Sequence, residues 1–280
     1  MVTIQAAGGI GSGVVLREDV VMTNAHVVGE TREVTVAYAD GSRSPGTVLA
    51  TDEVTDLAVV RSERGGLPVP EFRQELPQPG EVALAIGSPL GFENTVTAGI
   101  VSGLHRQLPG SAAQTRSLVD LVQTDAPISP GNSGGALLDA QGRVIGINEA
   151  DLPPETGAVS LGFAIPSATA LDIAEQLLAD GTATHPYLGV SVRPLTPPIK
   201  EKLGLVADHG VVVGAVDDNS PAASAGVRAG DVITEFGGAQ IRTVEDPLTA
   251  LRKTKAGESV PLVVLRDGQR HEQAVTIESR

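Results

Sequence analysis

From residue 2 to residue 166 the chain is a succession of short apolar runs, each broken by a turn signal. The runs are Val14–Leu16, Val20–Met22, Val34–Tyr38, Val48–Ala50, Leu57–Val60, Val82–Ile86, Ile100–Val101, Ala136–Leu138, Val144–Ile147 and Gly162–Ile165. Asp40-Gly41, Gly65-Gly66, Pro79-Gly80 and Gln141-Gly142 punctuate them. A helix needs about ten residues to bury one face, whereas runs this short suit strands. The pattern predicts an all-β barrel or sandwich. Aromatic residues make up only 2% of the chain and tryptophan is absent, so the core must be aliphatic.

Pro130-Gly131-Asn132-Ser133-Gly134-Gly135 has the composition of a nucleophile loop. A serine hydroxyl is a weak nucleophile at neutral pH. It must be held beside a base and near donors that stabilise an oxyanion. Glycines flanking Ser133 permit unusual backbone angles and bare N–H groups. Upstream, His26 ends the apolar run of Val21-Met22-Thr23-Asn24-Ala25-His26-Val27-Val28, and Asp56 heads the run Leu57–Val60. Asp52 is the nearby rival acid, but no buried strand follows it. The order His26, Asp56, Ser133 is that of chymotrypsin, not of subtilisin or the α/β-hydrolases.

These segments carry a family resemblance. Gly11-Ser12-Gly13-Val14-Val15, Thr23-Asn24-Ala25-His26-Val27-Val28, Asp56-Leu57-Ala58-Val59, Gly131-Asn132-Ser133-Gly134-Gly135 and Gly162-Phe163-Ala164-Ile165-Pro166 resemble the HtrA (Deg) family of serine proteases. Tyr187-Leu188-Gly189-Val190, Ser220-Pro221-Ala222 and the stretch from Ala225 to Ile233 resemble that family's PDZ domain. The resemblance implies a mostly β fold: a chymotrypsin-like double β-barrel followed by a C-terminal PDZ domain. The expected boundaries are 1–181 for the protease domain and 186–280 for the PDZ domain. Within the first, barrel one spans about 1–70, barrel two about 78–166, and a closing helix 168–179. Ser167 is the expected N-cap of that helix and Gly181 its stop. In the second, Val244, Leu248 and Leu251 share one helical face.

The resemblance also implies roles. Ser133 attacks, His26 takes and returns the proton, and Asp56 orients the imidazole. The backbone N–H groups of Gly131 and Ser133, with Asn132 between them, form the oxyanion hole. Ser129 stands where the family's loop commonly has Asn. Pro127, six residues before the nucleophile, marks the floor of the substrate pocket. With Ile128, Ile147 and Ala164 it predicts a small to medium apolar pocket, with Glu149 at its rim. Tyr187, Leu188, Gly189 and Val190 are expected to hold a peptide carboxylate, with Leu248 and Leu251 beside the terminal side chain. Loops 105–117 and 149–160 are expected to serve regulation. His105, His185, His209 and His271 read as surface residues.

The implied function is a serine endopeptidase that cleaves unfolded or exposed polypeptide after small or medium aliphatic residues, in protein quality control under stress. The alternatives are a peptide-binding or chaperone module and a dedicated regulatory protease with low basal activity. The net charge of −14 argues against nucleic acid and anionic membrane surfaces. Cysteine is absent, which excludes disulfides and thiolate chemistry. No cofactor or metal is expected. HtrA-like proteases act in the bacterial envelope or periplasm, yet this chain carries no signal or anchor segment. Met1-Val2-Thr3-Ile4 falls where such proteases have their first barrel strand, so a signal, anchor or arm is expected to have preceded it. The family forms trimers through aromatic-rich N-terminal segments, and the N-terminal arm here is short.

Overall fold

The computed structural model describes residues 1–88, 95–108, 118–151, 161–204, 206–244 and 246–279. Contacts divide the chain into two compact units, Met1–Ala183 and Thr184–Arg280.

In the first unit, β1 (Val2–Ala6), β2 (Gly9–Arg17), β3 (Val20–Thr23), β4 (Glu33–Tyr38), β5 (Arg43–Asp52) and β6 (Leu57–Ser62) close into a barrel. A single helical turn, α1 (Ala25–Val28), follows β3. A second closed barrel is built from β7 (Val82–Gly87), β8 (Thr95–Leu108), β9 (Leu118–Thr124), β10 (Ala136–Leu138), β11 (Val144–Asp151) and β12 (Gly162–Pro166). Strands β3 and β6 are apolar at successive positions because both of their faces are buried. Val21, Ala58 and Val60 point into the first barrel with Ile4 and Val36. Met22, Leu57 and Val59 point the other way, into a layer shared with Ile147, Phe163 and Ile165 of the second barrel. Burying such a side chain stabilises the fold by about 1.5–3 kcal/mol. This shared layer presses the two barrels together.

All ten expected apolar runs lie within strands. Two strands are additional, β1 and β9. In β9 the buried Leu121 and Val122 are adjacent and Asp120 has φ 61°, so the segment lacks clean alternation. The stretch 67–80, where the chain passes from the first barrel to the second, is stitched to β11. Phe72 bridges to Val144, whose N–H donates to the Glu71 carbonyl at 2.8 Å and whose carbonyl accepts from Arg73 at 2.9 Å.

Helix α2 (Ser167–Asp180) packs Ala170, Ile173, Ala174 and Leu177 into the shared layer. Its N-cap is Pro166, not Ser167. The Ser167 hydroxyl donates instead to the Arg73 carbonyl, tying the helix start to the inter-barrel segment. Gly181 ends the helix in the left-handed conformation.

The second unit contains β13 (Pro186–Tyr187), β14 (Val190–Pro194), α3 (Pro197–Leu203), β15 (Val211–Val216), α4 (Pro221–Ser224), β16 (Val232–Phe236), β17 (Ala239–Gln240), α5 (Asp246–Leu251), β18 (Ser259–Arg266), β19 (Gln269–Thr276) and β20 (Glu278–Ser279). Strands β14, β15, β16, β18 and β19 form the sheet in that order, with β17 pairing β16, so β14 lies at an edge. Leu188, Val213, Ile233, Phe236, Leu262 and Ile277 lie in its core. Val244 precedes α5 rather than sharing its face. Asp246 accepts hydrogen bonds from the N–H groups of Arg242 and Thr243, which starts the helix after Val244. Asp231 is 1% exposed and is held by Arg266 through two hydrogen bonds of 2.7 Å.

Candidate active site

Three elements bring the sequence-predicted residues together. The one-turn helix α1 buries Ala25, Val27 and Val28, so His26 is the residue it presents outward. Asp56 sits on the turn before β6 at φ 55°, a left-handed position that aspartate tolerates better than most residues. Its main-chain carbonyl accepts from Ala25 N–H at 3.1 Å and from Asn24 Nδ2 at 2.9 Å. These bonds lock the turn against α1. Its carboxylate then grips His26 twice, at the backbone N–H (2.8 Å) and at ring Nδ1. With Nδ1 as the donor to Asp56, Nε2 is the nitrogen left to accept a proton. The rival acid Asp52 is committed elsewhere, accepting from the N–H and hydroxyl of Thr55.

Ser133 sits on the loop between β9 and β10, held by bonds on every side. Asn132 N–H donates to Ser129 O, Gly135 N–H to Asn132 O and Gly134 N–H to Asn148 O, at 2.8–2.9 Å. Gly134 has φ 80°, and a Cβ there would lie 2.2 Å from the Ser12 carbonyl, so only glycine fits. Gly131 also has positive φ, at 99°. The N–H groups of Gly131 and Ser133 donate to no acceptor among the described residues. They remain available to an oxyanion.

Ser12 and Ser88 complete this loop, and sequence reasoning gave them no role. The Ser12 hydroxyl donates to Gly131 O at 2.7 Å and accepts from Ser88 N–H at 2.9 Å. Ser12 N–H donates to Ser133 O at 2.8 Å, and Ser88 Oγ meets Thr3 Oγ1 at 2.7 Å. Ser12 comes from barrel one, so the nucleophile loop is braced across the inter-barrel interface. The available signal was the glycine pair around Ser12, which leaves its backbone open to close approach.

The Ser133 hydroxyl donates to the main-chain carbonyl of Glu149 at 2.7 Å, not to His26. Glu149 is not a rim residue. It is 1% exposed, and atoms of its carboxyl, the Asp56 carboxyl and the His26 ring all lie within 4.8 Å of one another. Burial first, then the Asp56 charge and a hydrogen bond to Asp56, push its pKa well above the ordinary carboxyl value.

Of the expected pocket residues, Ile128 and Ala164 share one apolar cluster with Ala126. Ile147 faces the opposite side of β11 and belongs to the inter-barrel layer. Pro127 is exposed, and its carbonyl accepts from Thr97 Oγ1 at 2.7 Å. Of the proposed regulatory loops, residues 109–117 and 152–160 lie outside the described residues. His105 is not a plain surface residue: it is half-buried and its ring pairs with Asp120.

In the second unit, Gly189 has φ 80° and a Cβ there would meet Ser220 Cβ at 2.2 Å. The Leu188 and Gly189 carbonyls accept from Ala222 N–H and Asp217 N–H at 3.0 and 2.9 Å, while their own N–H groups donate to no acceptor among the described residues. Tyr187 Oη donates to Asp217 at 2.6 Å. Leu188 is buried in the core. Val190 and Leu251 are half-buried against that core, and Leu248 is half-buried outside it.

Two barrels joined through an apolar layer, a His–Asp pair on the first and a glycine-framed serine on the second define a trypsin-like peptidase domain; the unit that follows is a PDZ domain. The trypsin-like peptidase family matches residues 11–147 and the PDZ family residues 186–277. The chain is 44% identical over 268 residues to the putative serine protease HhoB of Synechocystis, covering 92% of this chain and 64% of that one. It is 38% identical to a probable periplasmic serine endoprotease, DegP-like, of Ectopseudomonas mendocina, covering 97% and 56%. It thus spans about 56–64% of these relatives' length. The solved structure of the HtrA-type protease AlgW with tripeptide matches with a TM-score of 0.83 at 35% identity, covering 100% of this chain and 92% of that one. The chain belongs to the HtrA family of serine proteases.

Proposed function

We propose that this chain is a serine endopeptidase that cleaves unfolded or exposed polypeptide after small or medium aliphatic residues. Residues 1–181 form the protease domain, and residues 186–280 form a PDZ domain that binds peptide C-termini. One observation carries the reading. Asp56 grips both the backbone and the ring of His26, while the Ser133 loop is braced with two N–H groups uncommitted.

The chemistry follows from that arrangement. Ser133 Oγ turns from Glu149 O to His26 Nε2, loses its proton to that nitrogen and attacks the scissile carbonyl. Asp56 balances the imidazolium, and the Gly131 and Ser133 N–H groups receive the oxyanion. His26 then protonates the leaving amine. Water, deprotonated by the same imidazole, hydrolyses the acyl-enzyme. The hydroxyl's contact with Glu149 O favours the version of this reading with low basal activity.

The edge position of β14 and the uncommitted Leu188 and Gly189 N–H groups support peptide capture by strand addition. A relative named periplasmic supports action in the cell envelope. Among the described residues no helix is long and apolar enough to cross a membrane.

The test is covalent labelling with a fluorophosphonate probe, together with casein hydrolysis. Wild type should label on Ser133 and degrade casein, and Ser133→Ala should do neither while keeping its circular dichroism. Equal casein hydrolysis by the two proteins overturns the proposal.

A further inference from the structure

The proposed triad chemistry uses the Glu149 main chain but not its carboxyl, which lies buried on β11 against Asp56 and His26. A carboxyl oxygen of Glu149 lies within 4.8 Å of one of Asp56, and the contact with Asp56 is among the causes that raise the Glu149 pKa. An ionised carboxylate only accepts hydrogen bonds, so two carboxyl groups bond directly only when one holds a proton. Both Asp56 oxygens already accept, Oδ1 from the His26 backbone at 2.8 Å and Oδ2 from its ring. The proton therefore belongs on Glu149. Its Oε2 is buried and makes no hydrogen bond to a described residue, a state costly for a charged carboxylate and far less so for a neutral acid.

Among the described residues, the titratable groups facing Glu149 are both from barrel one, Asp56 on the turn before β6 and His26 on α1. Neither an arginine nor a lysine among the described residues acts on it. On its own side, the Ser133 hydroxyl rests on its main-chain carbonyl.

We propose that Glu149 is a positioning residue, a neutral carboxylic acid whose O–H donates to Asp56 and holds that carboxylate in the orientation that fixes His26. Loss of the Glu149 proton to solvent sets two carboxylates side by side with no cation between them. They repel, the bond between them breaks, and the grip of Asp56 on His26 loosens. The centre thus has an alkaline limit set by a residue that never touches substrate. This inference rests on the serine-protease reading.

The test compares wild type, Glu149→Gln and Glu149→Ala by fluorophosphonate labelling rate and by denaturant unfolding, each across pH. Wild-type labelling should fall on the alkaline side. Glu149→Gln, whose amide N–H donates at every pH, should lack that fall. Glu149→Ala, with no donor, should label about tenfold or more slowly throughout, the scale of one lost hydrogen bond to a charged group. Unfolding gives an independent readout. The raised folded-state pKa means that the stability linked to this group is present below the unfolded value of about 4.3 and is lost as pH rises through the folded value. In that window the folding constant of Glu149→Gln relative to wild type should grow by up to about tenfold per pH unit.

Matching pH profiles of wild type and Glu149→Gln in both measurements would overturn the proposal. Absence of wild-type labelling at every pH would sink the protease reading instead. The unfolding profiles would then still decide the protonation of Glu149, a growing ratio supporting it and a flat one refuting it.

Discussion

The Ser133 hydroxyl donates to the Glu149 carbonyl at 2.7 Å, while His26 is bound by Asp56. In the proposed mechanism, base and acid are therefore assembled before the nucleophile joins them. A neutral hydrogen bond of this kind contributes about 0.5–1.5 kcal/mol net, so rotation of one hydroxyl is a small step beside the barrier of peptide hydrolysis. Its acceptor lies on β11, where an extended substrate could compete for the same carbonyl.

Replacing Asp56 by Asn should leave the fold intact and lower turnover by about 10⁴-fold, because an amide facing Nδ1 favours the wrong imidazole tautomer. Steady-state hydrolysis of a fluorogenic peptide would measure it. A loss below tenfold would show that Asp56 is not the orienting acid.

Ser12→Ala removes a hydroxyl that both accepts from Ser88 N–H and donates to Gly131 O. Ser88 N–H and Gly131 O then keep only their 3.4 Å bond to each other, at a cost of about 0.5–1.5 kcal/mol in unfolding free energy. Because Gly131 supplies an oxyanion donor in the proposed site, kcat should fall more than KM rises. Unchanged kcat with reduced stability would limit Ser12 to a structural brace.

Peptides ending in a free apolar residue should bind the second unit with about micromolar affinity, roughly 8 kcal/mol. Amidating the C-terminus should weaken binding by about 1.5–3 kcal/mol, since the Leu188 and Gly189 N–H groups lose a charged acceptor. Calorimetric titration of the full chain with both peptides decides the point. Equal affinities would mean that this loop does not hold a carboxylate.

Arg266→Leu should destabilise the second unit by about 3 kcal/mol, because Asp231 would keep its buried charge without its bidentate partner. Denaturant unfolding of the full chain should show an early transition for this unit, with casein hydrolysis kept below it. A coincident, unshifted transition would contradict the assignment.

The strands that pack on both faces were legible in the sequence, because continuous runs such as Leu57–Val60 have few other ways to be buried. The special backbone position at Gly134 was legible too, where positive φ coincides with a close contact and only glycine fits. The three side chains of the proposed triad could be named from the short motifs that hold them. β9 was not legible, since Asp120 at positive φ interrupts its alternation. Nor was the true start of α2, because the carbonyl that takes the Ser167 hydroxyl, that of Arg73, lies 94 residues away.

The sequence by itself determined ten of the twelve barrel strands, the glycines around Ser133 that take unusual backbone angles, and which histidine, aspartate and serine stand in the order of a chymotrypsin-type triad. These depend on side-chain size, polarity and spacing within a few residues. Only the tertiary structure decided that Ser12 would brace Gly131 from 119 residues away, and that Glu149 would turn inward to Asp56 rather than outward to a pocket rim. Barrel closure sets those partners. Whether a carboxyl meets water or another carboxyl depends on which strands enclose it, and no local pattern records that.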